Sequence, residues 1–113
     1  MKEIRRHAEI PVLSFDKCHD GEGVVLCRSL LDDMGSRKLA FMHSDDMPAG
    51  VSIGEHEHTN NEEIYYLVSG RGVLTFDGVK YEMNPGDISL CGDGHSHGFL
   101  ATEDRVLIVV GSR

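Results

Sequence analysis

Between Gly50 and Gly70 the chain reads GVSIGEHEHTNNEEIYYLVSG, and few folds accommodate that stretch. It reads as two extended segments joined by a polar turn at Thr59-Asn60-Asn61. Side chains at i and i+2 of a strand leave the same face, about 7 Å apart along the chain, so His56 and His58 face one point. Glu63 opens the next extended segment, Glu63-Ile64-Tyr65-Tyr66-Leu67-Val68, and is placed to point back at it. His97 follows about one strand pair later. Three imidazoles and a carboxylate suit a divalent transition metal. Solvated surface residues beside a hairpin are the plainer reading, which fits an isolated His-x-His. It leaves the spaced glutamate, the flanking glycines and the distant histidine unexplained.

The remainder of the chain reads as short strands and turns with almost no helix. Extended candidates run from Glu22 to Leu31, Arg37 to His43, Gly72 to Phe76, Val79 to Met83, Asp87 to Cys91 and Arg105 to Val110. Asp77-Gly78 between two of them is a tight-hairpin signal, because glycine tolerates the positive φ the turn needs. Leu30 to Met34 is a candidate single helical turn. Short strands at regular spacing, punctuated by Gly, Asp and Asn, predict an all-β sandwich or barrel. At 113 residues there is room for one modest core.

The motifs resemble those of the cupins. Their first motif, G-x5-H-x-H-x4-E-x6-G, is matched by Gly50, His56, His58, Glu63 and Gly70. Their second has a turn like Pro85-Gly86-Asp87 and then a fourth ligand histidine, here His97. The match departs at Cys91-Gly92-Asp93-Gly94, where cupins often carry a proline-bearing turn, and at Ala101, where the motif usually ends in asparagine; neither departure removes a ligand. The resemblance implies a double-stranded β-helix (jelly-roll) barrel holding the metal inside. It implies one cupin domain over residues 1–113, with N-terminal strands over about 1–35 and the metal-binding barrel over about 36–113. Manganese or iron is the first choice of ion, with zinc or nickel as alternatives.

Strand parity predicts what lines the cavity. With Glu63 inward, Tyr65 and Leu67 follow it, and Ile64, Tyr66 and Val68 face out. His97 carries Phe99 inward, and His95 by the same alternation. Tyr65 and His95 are therefore the candidate catalytic residues beside the metal ligands, although a loop histidine facing solvent fits His95 equally well. Phe76 reads as ordinary barrel core, and Met42 or His43 is a candidate for the pocket wall. Cys91 reads as a buried structural thiol and Glu62 as a surface carboxylate. His7, His19 and His43 lie outside the motifs.

A net charge of −8 argues against nucleic-acid or acidic-membrane partners. No apolar run approaches membrane-spanning length, and the charged start is unlike a signal peptide. Three cysteines without paired spacing suit a reducing compartment, hence the cytoplasm. Three imidazoles and a carboxylate leave coordination positions open, as in catalytic rather than structural sites. The expectation is a metal-dependent enzyme acting on a small oxygen-rich metabolite, an organic acid or sugar, by decarboxylase-, dioxygenase- or isomerase-like chemistry. The alternative is a non-catalytic binding or sensing module, because neither motif contains an arginine or lysine to clamp a carboxylate. Glu63 to Val68 is apolar on both faces, so its outer face needs a cover. A second copy of the chain supplies one and predicts a homodimer; Ile10 to Phe15 of the same chain is the alternative.

Overall fold

The computed structural model describes residues 4–31 and 34–113. Ten strands follow one another: β1 (Leu13–Asp16), β2 (Val24–Ser29), β3 (Leu39–Met47), β4 (Ser52–Glu57), β5 (Glu63–Ser69), β6 (Gly72–Phe76), β7 (Val79–Met83), β8 (Ile88–Cys91), β9 (Ser96–Ala101) and β10 (Arg105–Ser112). They form a six-stranded sheet, β1-β2-β3-β10-β5-β8, and a four-stranded sheet, β4-β9-β6-β7, with antiparallel pairing throughout. Two single turns of 3-10 helix, His7–Glu9 and Cys18–Asp20, are the helical elements among the described residues. The expected helical turn at Leu30–Met34 includes Asp32 and Asp33, which lie outside the described residues.

The alternation of apolar residues explains how the sheets close. In β10, Arg105, Leu107, Val109 and Gly111 are buried while the residues between them are not. In β5, Glu63, Tyr65 and Leu67 are buried, and Tyr66 and Val68 are exposed. The inward sets meet Val25, Met47, Ile53, Leu74, Met83 and Phe99 in one core. The β6–β7 hairpin turns on Asp77 and Gly78, with φ of 48° and 81°. Positive φ at both positions is the turn that matches strand twist.

Three sequence expectations need correction. The strand expected from Arg37 to His43 begins at Leu39 and continues to Met47, because β3 pairs along most of its length with β10. His56 and His58 do not share a regular strand: β4 ends at Glu57 and has a register shift between Ile53 and His56. That irregularity resets the alternation, so Ile53 and His56, three apart, both reach the interior. Finally, the N-terminal segment does not cover β5. Its residues Leu13–Asp16 form the opposite edge of the six-stranded sheet, with β2, β3 and β10 between.

Candidate metal centre

The candidate ligand histidines are positioned by strand pairing. His56 on β4 stands opposite His97 on β9. His58 follows β4 directly, and its backbone is tied to the loop before β9: its N–H donates to the His95 carbonyl, and its carbonyl accepts from Gly94. Glu63 is the first residue of β5, on the other sheet. The two sheets therefore bring the four side chains together across the barrel, with ligand atoms all within 4.8 Å of one another. Glu63 Oε1 lies 2.9 Å from His97 Nε2 and 3.8 Å from His56 Nε2, and Glu63 Oε2 lies 3.6 Å from His58 Nε2. His58 Nε2 and His97 Nε2 are 3.1 Å apart.

Outer partners turn the imidazoles for coordination. His56 Nδ1 donates to the Gly54 carbonyl at 2.8 Å, which leaves Nε2 as the lone-pair nitrogen. His58 Nδ1 donates to Asn61 Oδ1 at 3.0 Å, with the same consequence. His56 Nε2 is buried and has no hydrogen-bond partner among the described residues. Converging lone pairs with one orphaned nitrogen form a poor hydrogen-bond network and a good metal site. Burial alone would raise the Glu63 carboxyl, but the His56 and His97 imidazoles outweigh it and hold it at about 2. Burial, the largest influence on His97, lowers that imidazole. A carboxylate and a neutral imidazole are the forms that bind a cation; at His56 burial is outweighed by Glu63 and the Gly54 carbonyl, which raise the imidazole, so there an ion would have to displace a proton. The residues present thus fit a divalent ion. Asn61→Ala should lower metal affinity about 10- to 100-fold with the strands intact, as removal of an outer partner generally does; isothermal titration with manganese checks it.

Tyr65 belongs to this centre. Its ring stacks on His97 with centroids 4.1 Å apart and an interplanar angle of 11°. Burial, reinforced by Glu63, pushes its phenol well above the usual range, so it stays a neutral hydroxyl. His95 is not brought in. Its half-exposed ring is bonded to Asp77 Oδ2 at 2.5 Å and stacks on Phe76. The alternation that predicted it inward fails because His95 precedes β9, in a turn closed by its N–H to the Gly92 carbonyl.

Two residues that the motifs leave out do reach the site. His19 stacks on His56 with centroids 3.7 Å apart, and His43 lies on the inner face of β3. Both line a hollow of about 90 Å³ together with Cys18, Asp45, Glu63 and Tyr65. His19, like its neighbours Lys17 and Asp20, adopts a positive φ, which is costly for residues other than glycine. The segment is held in place from below: a Cβ on Gly54 would run into the His19 carbonyl. A larger hollow, about 540 Å³ between β7 and β8, contains no imidazole and lies away from the ligands.

A barrel of two antiparallel sheets, closed around three histidines and a glutamate, defines a small β-barrel able to hold a metal ion. The cupin-domain family model matches residues 43–111, and the chain belongs to the cupin family. It is 30% identical over 95 residues to an oxalate-binding protein of Thermotoga maritima, covering 83% of this chain and 78% of that one. The crystal structure of a predicted oxalate decarboxylase from Thermotoga maritima superposes with a TM-score of 0.84 at 27% identity, covering 96% of each chain. A provisionally assigned sugar phosphate isomerase from Acidithiobacillus ferrooxidans gives a TM-score of 0.72 at 31% identity over 80% of this chain and 60% of that one.

Proposed function

We propose that this chain is a metal-dependent enzyme acting on a small oxygen-rich metabolite, an organic acid or a sugar, with His56, His58, Glu63 and His97 as metal ligands. The observation that carries this reading is the orphaned His56 Nε2 among converged ligands, beside a hollow of about 90 Å³. Ligand pockets for drug-sized molecules are several times larger, so this one suits a ligand of a few heavy atoms. When bound, a divalent ion supplies a Lewis-acidic position for such a ligand's oxygens. Manganese or iron is the proposed ion, with zinc or nickel as alternatives. Tyr65 orients the His97 ring by stacking, Asn61 and the Gly54 carbonyl hold the other two rings, and Ile53 and Val109 limit the size of what enters. Among the described residues no helix is long and apolar enough to cross a membrane, and the cytoplasm is the proposed location.

A second reading, metal-dependent binding without turnover, draws on the relative named for oxalate binding and on the lack of an arginine or lysine lining the hollow among the described residues. One experiment separates them. The chain, purified without an affinity tag and loaded with manganese or iron, is offered oxalate, other small acids and sugars while oxygen consumption and product are recorded. Metal-dependent turnover that disappears in His58→Ala supports the enzyme. Saturable stabilisation by a ligand, about 2.7 kcal/mol at a hundred times its dissociation constant, with no turnover, supports the binder instead.

We also propose a homodimer through the outer face of the six-stranded sheet. Ile64 and Tyr66 on β5 pair with Leu90 and Ile88 on β8, and with Val110 and Ile108 on β10. Tyr66, Ile88 and Leu90 are exposed, and exposed apolar patches of this kind mark association surfaces. With the N-terminal segment at the far edge, a second copy of the same apolar face is its natural cover. Light scattering at micromolar concentration should give twice the chain mass. A mass of one chain, unchanged on concentration, rules the dimer out.

A further inference from the structure

The inner face of β2 and β3 repeats, with different chemistry, the arrangement that builds the first site. Cys27 on β2 stands directly opposite Asp45 on β3, and His43 lies two residues away on the same strand and face. One ligand atom from each of the three lies within 4.8 Å of the others. We propose that Cys27, His43 and Asp45 form a second divalent-cation site, of a thiophilic kind such as zinc, beside the first.

Several observations favour an ion over an ordinary buried network. Asp45 is 5% exposed and Cys27 1% exposed. Asp45 Oδ1 is fully buried and has no hydrogen-bond partner among the described residues. Leaving a buried acceptor unsatisfied is unfavourable, and an ion between the strands would satisfy it. Burial raises the Asp45 carboxyl, against hydrogen bonding from Cys27 and the charges of His43 and Arg105. A cation would favour the ionised forms of this carboxyl and of the thiol, as metal binding does at thiolate and carboxylate ligands generally. At tetrahedral angles, bonds of about 2.3 Å to sulfur and 2.0–2.2 Å to nitrogen and oxygen set donors roughly 3.3–3.7 Å apart. Donors within 4.8 Å of one another therefore close on an ion with side-chain shifts of about 1 Å.

The two sites would differ in preference. The first offers nitrogen and oxygen, which suit several divalent metals. The second includes a thiolate, which selects softer ions. They would also share a chamber, since His43, Asp45, Glu63 and Tyr65 line the same hollow. A small ligand bound at the first site would meet the second. The assignment does not depend on which reaction, if any, the first site performs.

Cobalt titration of the full chain, stripped with chelator and reduced, tests the proposal, because only a thiolate ligand produces near-ultraviolet thiolate-to-cobalt charge-transfer absorption. The wild type should take up two equivalents, with that absorption belonging to one of them. His58→Ala should lose one equivalent and keep the absorption, and Cys27→Ser should lose the other equivalent and all of the absorption. Asp45→Asn, close in shape to the native side chain, should weaken the thiolate site about 10-fold or more and leave the first site as it was. Cys18→Ser should keep both equivalents and the absorption. A single equivalent without thiolate absorption in the folded wild type overturns the second site. So does absorption that persists in Cys27→Ser or vanishes in Cys18→Ser.

Discussion

Replacing His58 with alanine should abolish productive metal binding while the barrel stays folded. Structural zinc sites of four ligands are worth about 10–16 kcal/mol, so each ligand carries roughly 3 kcal/mol, and its loss costs about a hundredfold in affinity or more. His58 also brings the hydrogen bond from Nδ1 to Asn61, which fixes its ring; that orientation disappears with it. The strands on either side keep their apolar contacts, because His58 lies just past the end of β4 and the core cluster does not include it. Metal titration of the variant, with far-ultraviolet circular dichroism as the check on folding, is the measurement. An unfolded variant alongside a wild type that tolerates chelator would make the site structural. His97→Ala is a different case. The sequence alone suggests a milder variant with three ligands left, but His97 is fully buried and stacked on Tyr65. Its loss opens a cavity as well as a coordination position.

Phe99→Ala should destabilise the chain by about 3–5 kcal/mol, the usual range for a buried phenylalanine. That is a large share of the 5–15 kcal/mol typical of a domain. Phe99 is 2% exposed, and its ring packs over Gly72, where a Cβ would collide with it. It also covers a buried arginine. The Arg105 guanidinium lies 4.0 Å from the ring centroid, and its Nε and Nη1 have no hydrogen-bond partner among the described residues. A guanidinium over an aromatic face is stabilised by the ring's quadrupole, more so when desolvated. Removing the ring takes this contact from a buried guanidinium that keeps the Met47 sulfur as a hydrogen-bond partner. Chemical denaturation of the two proteins gives the difference; a loss below about 1 kcal/mol would mean the ring is not a core element.

The site was more legible than its surroundings. His56, His58, Glu63 and His97 are marked by spacing, and the structure brings all four together. The inward set Glu63, Tyr65 and Leu67 followed from period-two alternation, which holds wherever a strand is regular. The same rule misplaced His95, because alternation has no force in the turn before β9. It also missed the register shift between Ile53 and His56, since a bulge is a property of the pair of strands and leaves no periodic trace in one of them. His19 was invisible for another reason. It reaches His56 through the close approach of the Cys18–Asp20 turn to Gly54, a tertiary contact that only the pairing of distant segments creates. Cys27 and Asp45 were equally hidden, whereas His43 is a pocket-wall candidate from its strand alone. Cys27 comes into register with Asp45 only when β2 pairs with β3.

Crystals of the wild-type chain grown with excess manganese, and diffraction recorded with anomalous scattering from that metal, test the metal centre most directly. The account predicts a strong anomalous peak among His56, His58, Glu63 and His97, at roughly 2.0–2.3 Å from the three imidazole nitrogens and a Glu63 oxygen, with at least one coordination position open towards the Tyr65 and His43 hollow. An ordered barrel in which these four side chains keep their places around water alone, despite excess manganese, would contradict it.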